Sequence, residues 1–232
     1  MNLQLFQEGE IVVEGRLVDA SNATLFVTIS LGAESVKGIY KPIAGERPLW
    51  DFPDGNLAAR ERASYLIDQW LGYGHIPLTI LRDGPFGPGM VQAWIDIDED
   101  VDLELFFRED DQQLREVALL DAIINNTDRK IGHLIPTTEG NLYVCDHGVT
   151  FHVDDKLRTV LWQWAGQDLR DDELNRLRQL KEFINSPEAD ELTDLITEAE
   201  IEALLHRIAR LISDRKFPEP NPEWPHIPWP PF

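Results

Sequence analysis

The sequence predicts an α+β chain in two lobes, the first an antiparallel sheet with one helix and the second mainly helical. Period-two apolar patterning and turn residues dominate from Gly9 to Ile95, whereas helical spacing dominates from Leu114 onward. Early in the second region lie two polar stretches, Asn-Asn-Thr-Asp-Arg-Lys-Ile-Gly-His (Asn125 to His133) and Val-Cys-Asp-His-Gly (Val144 to Gly148). They put Asp128 in a loop and Asp146 at a strand end, a spacing suited to holding a divalent cation against a nucleotide's phosphates.

The elements follow in order. Ile11 to Val18, Leu25 to Ile29 and Val36 to Lys41 read as three antiparallel strands separated by an Asp19-Ala20-Ser21-Asn22-Ala23 turn and a Gly32 turn. Arg47 to Gly55 is a Pro, Trp, Asp and Gly loop, after which Asn56 caps a helix to about Leu71 with Ala59, Ala63, Leu66 and Trp70 on one face. Leu78 to Leu81 and Gly89 to Ile95 form a hairpin around Asp83-Gly84-Pro85, which puts the lobe boundary near Gln92. The acidic stretch Asp96 to Asp111 is a solvated connector. Leu114, Val117, Leu120 and Ile124 mark a helix entering the Asn125 loop, and a small hairpin turns at Glu139-Gly140-Asn141. Helices are then expected over Leu157 to Trp164, Asp172 to Ile184, Glu188 to Ile196, and Glu198 to Ile212, the last opened by a Thr197-x-x-Glu200 capping box. Residues 1–92 thus form the first lobe and 93–217 the second, leaving a Pro/Trp-rich tail, 218–232, either disordered or docked on the protein's own surface.

Composition narrows the function classes. Against 42 acidic residues stand 21 basic ones, a formal net charge of -21 that repels nucleic acid and anionic membranes. A phosphate-binding site here needs a metal ion or a local basic cluster to reverse the sign. With Cys145 alone, intrachain disulfides and thiol clusters are excluded, which fits a reducing cytoplasm. No basic or apolar leader and no apolar run near membrane-spanning length is present, so a soluble, cytoplasmic protein without membrane insertion is expected.

The order strands, Lys41, helix with Glu61, hairpin, Asp128-Arg129-Lys130 loop and Asp146-His147-Gly148 resembles the protein-kinase-like superfold, in particular the phosphatidylinositol 3-/4-kinase-like branch and its small bacterial members. The resemblance covers nearly the whole chain. It implies an atypical kinase using ATP with Mg²⁺ or Mn²⁺, in which Asp128 accepts or orients a hydroxyl, Asp146 holds metal, and Lys41 positioned by Glu61 pairs with phosphates. His133 stands where the branch commonly has a metal-ligating asparagine, so it is either a nitrogen ligand favouring Mn²⁺ or a structural histidine. Ser21 and Asn22 sit at the phosphate-covering turn, which lacks the glycines of such loops. Backbone groups of Val91 and Gln92 are expected to meet an adenine edge, while Arg129 and Lys130 neutralise phosphate or a substrate carboxylate and His147 and His152 line the same region. The Arg47 to Pro53 loop either lids the site, recognises substrate, or is a packing plug. The expected acceptor is a hydroxyl on a soluble small molecule or protein, since the charge opposes approach to a lipid surface. A silent nucleotide-binding pseudokinase and an AMP-transferring enzyme remain the alternatives.

Overall fold

The computed structural model describes residues 2–17 and 22–232. Its first lobe is a five-stranded antiparallel sheet of β1 (Glu10–Arg16), β2 (Leu25–Leu31), β3 (Glu34–Pro42), β4 (Thr79–Gly84) and β5 (Gly87–Ala93), in the order β1-β2-β3-β5-β4. Side chains alternate across this sheet, so β2 buries Leu25, Val27 and Ile29 on one face and turns Phe26 and Thr28 to the other. The first face meets Leu5 and Phe6 of a short helix, α1 (Leu3–Glu8), which patterning did not anticipate because only these two of its residues are buried. The second face carries Lys41 and looks toward the other lobe.

Helix α2 (Leu57–Leu71) starts where Asn56 predicts, with the Asn56 side chain accepting from the Ala59 amide at 2.8 Å. It ends at Gly72, whose φ of 71° is the left-handed conformation that glycine adopts without penalty. It packs against β4 and β5 of the sheet, and its Ala59, Ala63, Leu66, Ile67 and Leu71 also belong to the larger hydrophobic core. There they join the short α6 (Glu191–Leu195), α4 (Gln112–Ile124), α5 (Asp171–Ile184) and α7 (Glu198–Asp214). The predicted face of α4 is fully buried at Leu114, Val117, Leu120 and Ile124. Between the lobes the acidic connector holds only the one-turn α3 (Leu103–Phe106).

Two expectations change. Leu157 to Trp164 is not helical: Thr159 pairs beside Arg129, and its amide donates to the His226 carbonyl at 3.0 Å. Amides committed to strand-like partners are unavailable for helical bonds, whatever the apolar spacing suggests. The helix from Glu188 shrinks to a 3₁₀ turn at Pro187–Ala189 followed by α6. By contrast the capping box at α7 forms, with Thr197 N donating to Glu200 Oε2 at 2.9 Å and Glu200 N to Thr197 Oγ1 at 3.3 Å. Thr197→Ala is expected to lower stability by about 1 kcal/mol in urea denaturation, and a loss below a few tenths would show that the rest of α7 holds its first turn unaided.

Candidate active site

Every predicted acid and cation except Arg129 meets at the interlobe face. Lys41 leaves β3 and is drawn to two carboxylates: Glu61 Oε1 on α2 lies 2.7 Å from its Nζ, and Asp146 Oδ1 also accepts from it. Asp146 follows β7 (Leu142–Val144), which pairs with β6 (Leu134–Pro136) as the predicted hairpin. Its φ of 60° is uncommon for a residue with a side chain, and the turn aims a carboxylate that is 54% exposed out of the hairpin. The Lys41 charge holds the Asp146 carboxyl well below the usual range, while Asp146 and Glu61 outweigh the desolvation of Lys41 and hold its ammonium above its usual value.

Asp128 lies in the loop after α4, which Asn125 terminates in a left-handed conformation at φ 52°. The loop is kept in shape by the Asp128 amide donating to Asn126 Oδ1 at 3.0 Å, while the Asp128 carboxylate stays 38% exposed beside Lys130 Nζ at 3.5 Å. Burial raises the Asp128 pKa and the Asp146 charge adds to the rise, against the pull of Lys130 and Arg158. The two acids therefore share one field.

His133 Nε2 stands 3.6 Å from Asp146 Oδ2, and its Nδ1 accepts from the Lys130 amide at 3.4 Å. A neutral ring that accepts at Nδ1 carries its proton on Nε2, facing Asp146. In this arrangement the Nε2–H of His133 faces Asp146 from beyond hydrogen-bond distance; metal ligation through Nε2 requires the proton to move to Nδ1, against the Lys130 N–H. Among the described residues no cluster of three or more His, Cys, Asp or Glu side chains is arranged to hold a metal ion. The donor set nevertheless suits a hard cation completed by phosphate oxygens and water, because such sites commonly draw only one or two carboxylates from the protein.

Burial, with the cations of Arg129, Lys130 and Lys41, pushes the His133 pKa down to about 4, against the opposing Asp146 charge. Folded protein then binds fewer protons than unfolded protein between about 6.5 and 4, so stability is complete above that window and lost as pH falls through it. In chelator-treated protein the loss reaches about 3 kcal/mol at full extent. It should be much smaller in His133→Gln when urea midpoints are compared at neutral and acid pH; equal losses would assign it to other groups.

The remaining expectations divide. Arg129 does not face phosphate. It is fully buried, giving Nε and Nη2 to Asp121 and Nη1 to the Cys145 carbonyl at 2.9 Å, so its donors are spent inside the protein. Asp121 itself was not predicted, although a lone acid amid Leu119, Leu120, Ala122, Ile123 and Ile124 demands a buried partner. Val91 and Gln92 cannot offer backbone groups to adenine, because β5 is central and pairs with β3 and β4 at both residues. The Gln92 side chain donates to Thr79 Oγ1 instead. The chain leaves the sheet after Ala93. There Phe26 meets Trp94 edge to face at 4.8 Å, beside an open depression of about 320 Å³ lined also by Gly15 and Leu17. Ser21 lies outside the described residues. Asn22 Oδ1 accepts from the Arg47 amide at 2.9 Å, tying the chain ahead of β2 to the loop before α2.

That loop packs beside His152 and Lys156, and the tail reaches the Asp128 loop. Phe52 packs on His152 at 5.3 Å and on Arg60 at 4.9 Å, while Trp50 stays 87% exposed. Of the two readings for the tail, docking is the one observed. Trp224 covers Lys156 and Arg158 at 5.2 and 5.1 Å, and the Pro231 carbonyl accepts from the Ile131 amide in the Asp128 loop at 2.8 Å.

An antiparallel sheet with Lys41, a helix bearing its Glu61 partner, and two acidic loops below them define the class: a protein with a kinase-like fold. The Golgi casein kinase superposes with a TM-score of 0.57 at 13% identity, covering 94% of this chain and 78% of that one. The Helicobacter pylori proinflammatory kinase CtkA gives 0.52 at 12% identity, covering 91% and 94%. A hydra Fam20 solved with sugar gives 0.54 at 13%, covering 91% and 86%. At such identities the likeness is one of fold. The chain belongs to the same family as Protein Rv2133c of Mycobacterium tuberculosis (strain ATCC 25618 / H37Rv), with which it is 41% identical over 260 aligned positions, 97% of this chain and 93% of that protein. No model of a known protein family matches, and these structural neighbours are kinases of the Golgi casein kinase, Fam20 and CtkA type. No helix among the described residues is long and apolar enough to cross a membrane.

Proposed function

We propose that the protein is an atypical kinase that moves the γ-phosphoryl group of ATP to a hydroxyl of a soluble small molecule or protein. One observation carries the reading: Lys41 bridges Glu61 and Asp146 at the interlobe face, with Asp128 close enough to feel the Asp146 charge. Asp146 would hold a Mg²⁺ or Mn²⁺ ion, whose chemistry is to neutralise charge on the phosphates. The fold neighbours include a Golgi casein kinase with Mn/ADP bound, which supports such a pairing in this architecture.

Lys41, held in place by Glu61, would turn its ammonium from Asp146 to phosphate oxygens when nucleotide enters. Lys130 would face the transferred group. Asp128 would orient the acceptor hydroxyl and take its proton as the new oxygen–phosphorus bond forms and the bond to the β-phosphate oxygen breaks. The raised Asp128 pKa suits that role, since a stronger base holds the departing proton better. The adenine would lie in the depression beside Phe26 and Trp94. A soluble acceptor follows from the net charge of -21, which opposes an anionic lipid surface.

The test is transfer from labelled ATP in the presence of Mn²⁺ or Mg²⁺, to the protein itself and to extracts depleted of endogenous kinases. γ-Label incorporation that disappears in Asp128→Ala is the expected result. Label arriving only from the α-position would mean AMP transfer, and no transfer alongside metal-dependent nucleotide binding would mean a pseudokinase.

A further inference from the structure

The His147 imidazole takes no part in the chemistry above, yet it lies at the centre of the site's supporting structure. It is fully buried. Its Nε2 accepts from Arg129 Nη2 at 2.6 Å, so a neutral ring carries its proton on Nδ1. That Nδ1 has no hydrogen-bond partner and points toward Glu61 Oε2, 3.8 Å away. The backbone amide of the same residue donates to that Glu61 oxygen at 3.0 Å. One residue thus touches the helix carboxylate that holds Lys41 and the guanidinium that shapes the Asp128 loop.

Both ends of this connection are anchored. On one side Arg129 passes to Asp121 of α4, which also accepts from Thr159 Oγ1 at 3.2 Å and Asn126 Nδ2 at 2.9 Å. On the other, α2 is fastened to the chain just after His147: Arg60 Nη1 donates to the Thr150 carbonyl at 2.8 Å, and Ser64 meets Thr150 at 3.3 Å. A Cβ on Gly148 would come within 3.1 Å of Leu57 Cβ, so the segment lies close against the start of the helix. An apolar side chain at 147 would fill the same space but leave Arg129 without its nitrogen acceptor and Glu61 without a facing N–H.

We infer that His147 is a positioning residue, a polar strut that couples α2 and Glu61 to the Asp128 loop through Arg129 and Asp121, so that the phosphate-holding lysine and the acceptor-facing acid move as one body. The strut is a property of the fold; its bearing on phosphate positioning rests on the kinase reading above.

Two measurements on the full chain test it. In hydrogen exchange without nucleotide, His147→Leu and Glu61→Gln are each expected to speed exchange about tenfold in the 126–131 amides as well as in α2. His147→Gln, which can still accept from Arg129 and donate toward Glu61, should restore most of the protection. Mn²⁺-ADP affinity by calorimetry provides a double-mutant cycle: each single substitution weakens binding about tenfold, and the pair together much less than a hundredfold. Exchange changes confined to the substituted element, or affinity losses that multiply, overturn the strut. A wild-type protein that binds no Mn²⁺-ADP while the exchange changes still cross from α2 to the 126–131 loop would sink the kinase reading and uphold the strut.

Discussion

Asp121→Ala is expected to destabilise the protein by about 3–5 kcal/mol, enough to unfold many domains of ordinary stability. Asp121 and Arg129 are both wholly removed from water, and Asp121 accepts from Nε and Nη2 of Arg129, from Asn126 and from Thr159. Removing the carboxylate leaves a guanidinium in the interior without its counter-charge, and a buried charge without partner or solvent is the most expensive state available to it. Discarding both charges should be gentler: Asp121→Leu combined with Arg129→Met should cost less than Asp121→Ala alone, because nothing is then left unpaired. Urea denaturation followed by tryptophan fluorescence reads both variants. A loss under 1 kcal/mol for Asp121→Ala would mean that water reaches the network and that the Asp128 loop is held by other contacts.

Asp146→Asn is expected to leave the fold in place and remove metal-dependent nucleotide binding. Its carboxylate is half exposed, so the Lys41 pair contributes about 1 kcal/mol or less to the unliganded protein after screening, and Lys41 keeps Glu61. The effect appears only on adding ligand. Saturating Mn²⁺-ATP at a hundred times its dissociation constant should stabilise the wild type by about 2.7 kcal/mol, and Asp146→Asn by almost nothing under the same conditions. Transfer of γ-label should fall about 100-fold or more, in line with losing one preorganised charge-stabilising group. A variant that keeps the full thermal shift with Mn²⁺-ATP would place the metal elsewhere. His133→Ala sharpens the comparison: if His133 is structural rather than a metal ligand, this variant keeps the metal-dependent shift.

Much of the chain was legible because local signals and tertiary packing agree. The Asn56 cap, the face of α4 through Leu114, Val117, Leu120 and Ile124, the hairpin bracketing Glu139 to Asn141, and the capping box at Thr197 each follow from a periodicity or a cap that the fold then uses. Lys41 and Glu61 were also legible, through their order relative to the two acids. Arg129 was misplaced because nothing in an Asp-Arg-Lys run says which cation turns inward; that depends on Asp121, one helix earlier and silent in any motif. The Val91 and Gln92 assignment failed because both residues are paired on either side, and a strand's end is set by where its neighbours stop pairing and not by its own composition.

By itself, the amino-acid order determined most of the strands and helices, the placing of Asp128 in a loop and Asp146 at a strand end, and a net charge of -21, because each of these is written in neighbouring residues or in sums over them. Tertiary structure alone decided that α2 shares the larger helical core, that Arg129 is internal, that His133 turns its Nε2 toward Asp146, and that the tail reaches the Asp128 loop. These are settled by partners distant in sequence, where burial forces every charge and every amide to find a mate that no local pattern can name.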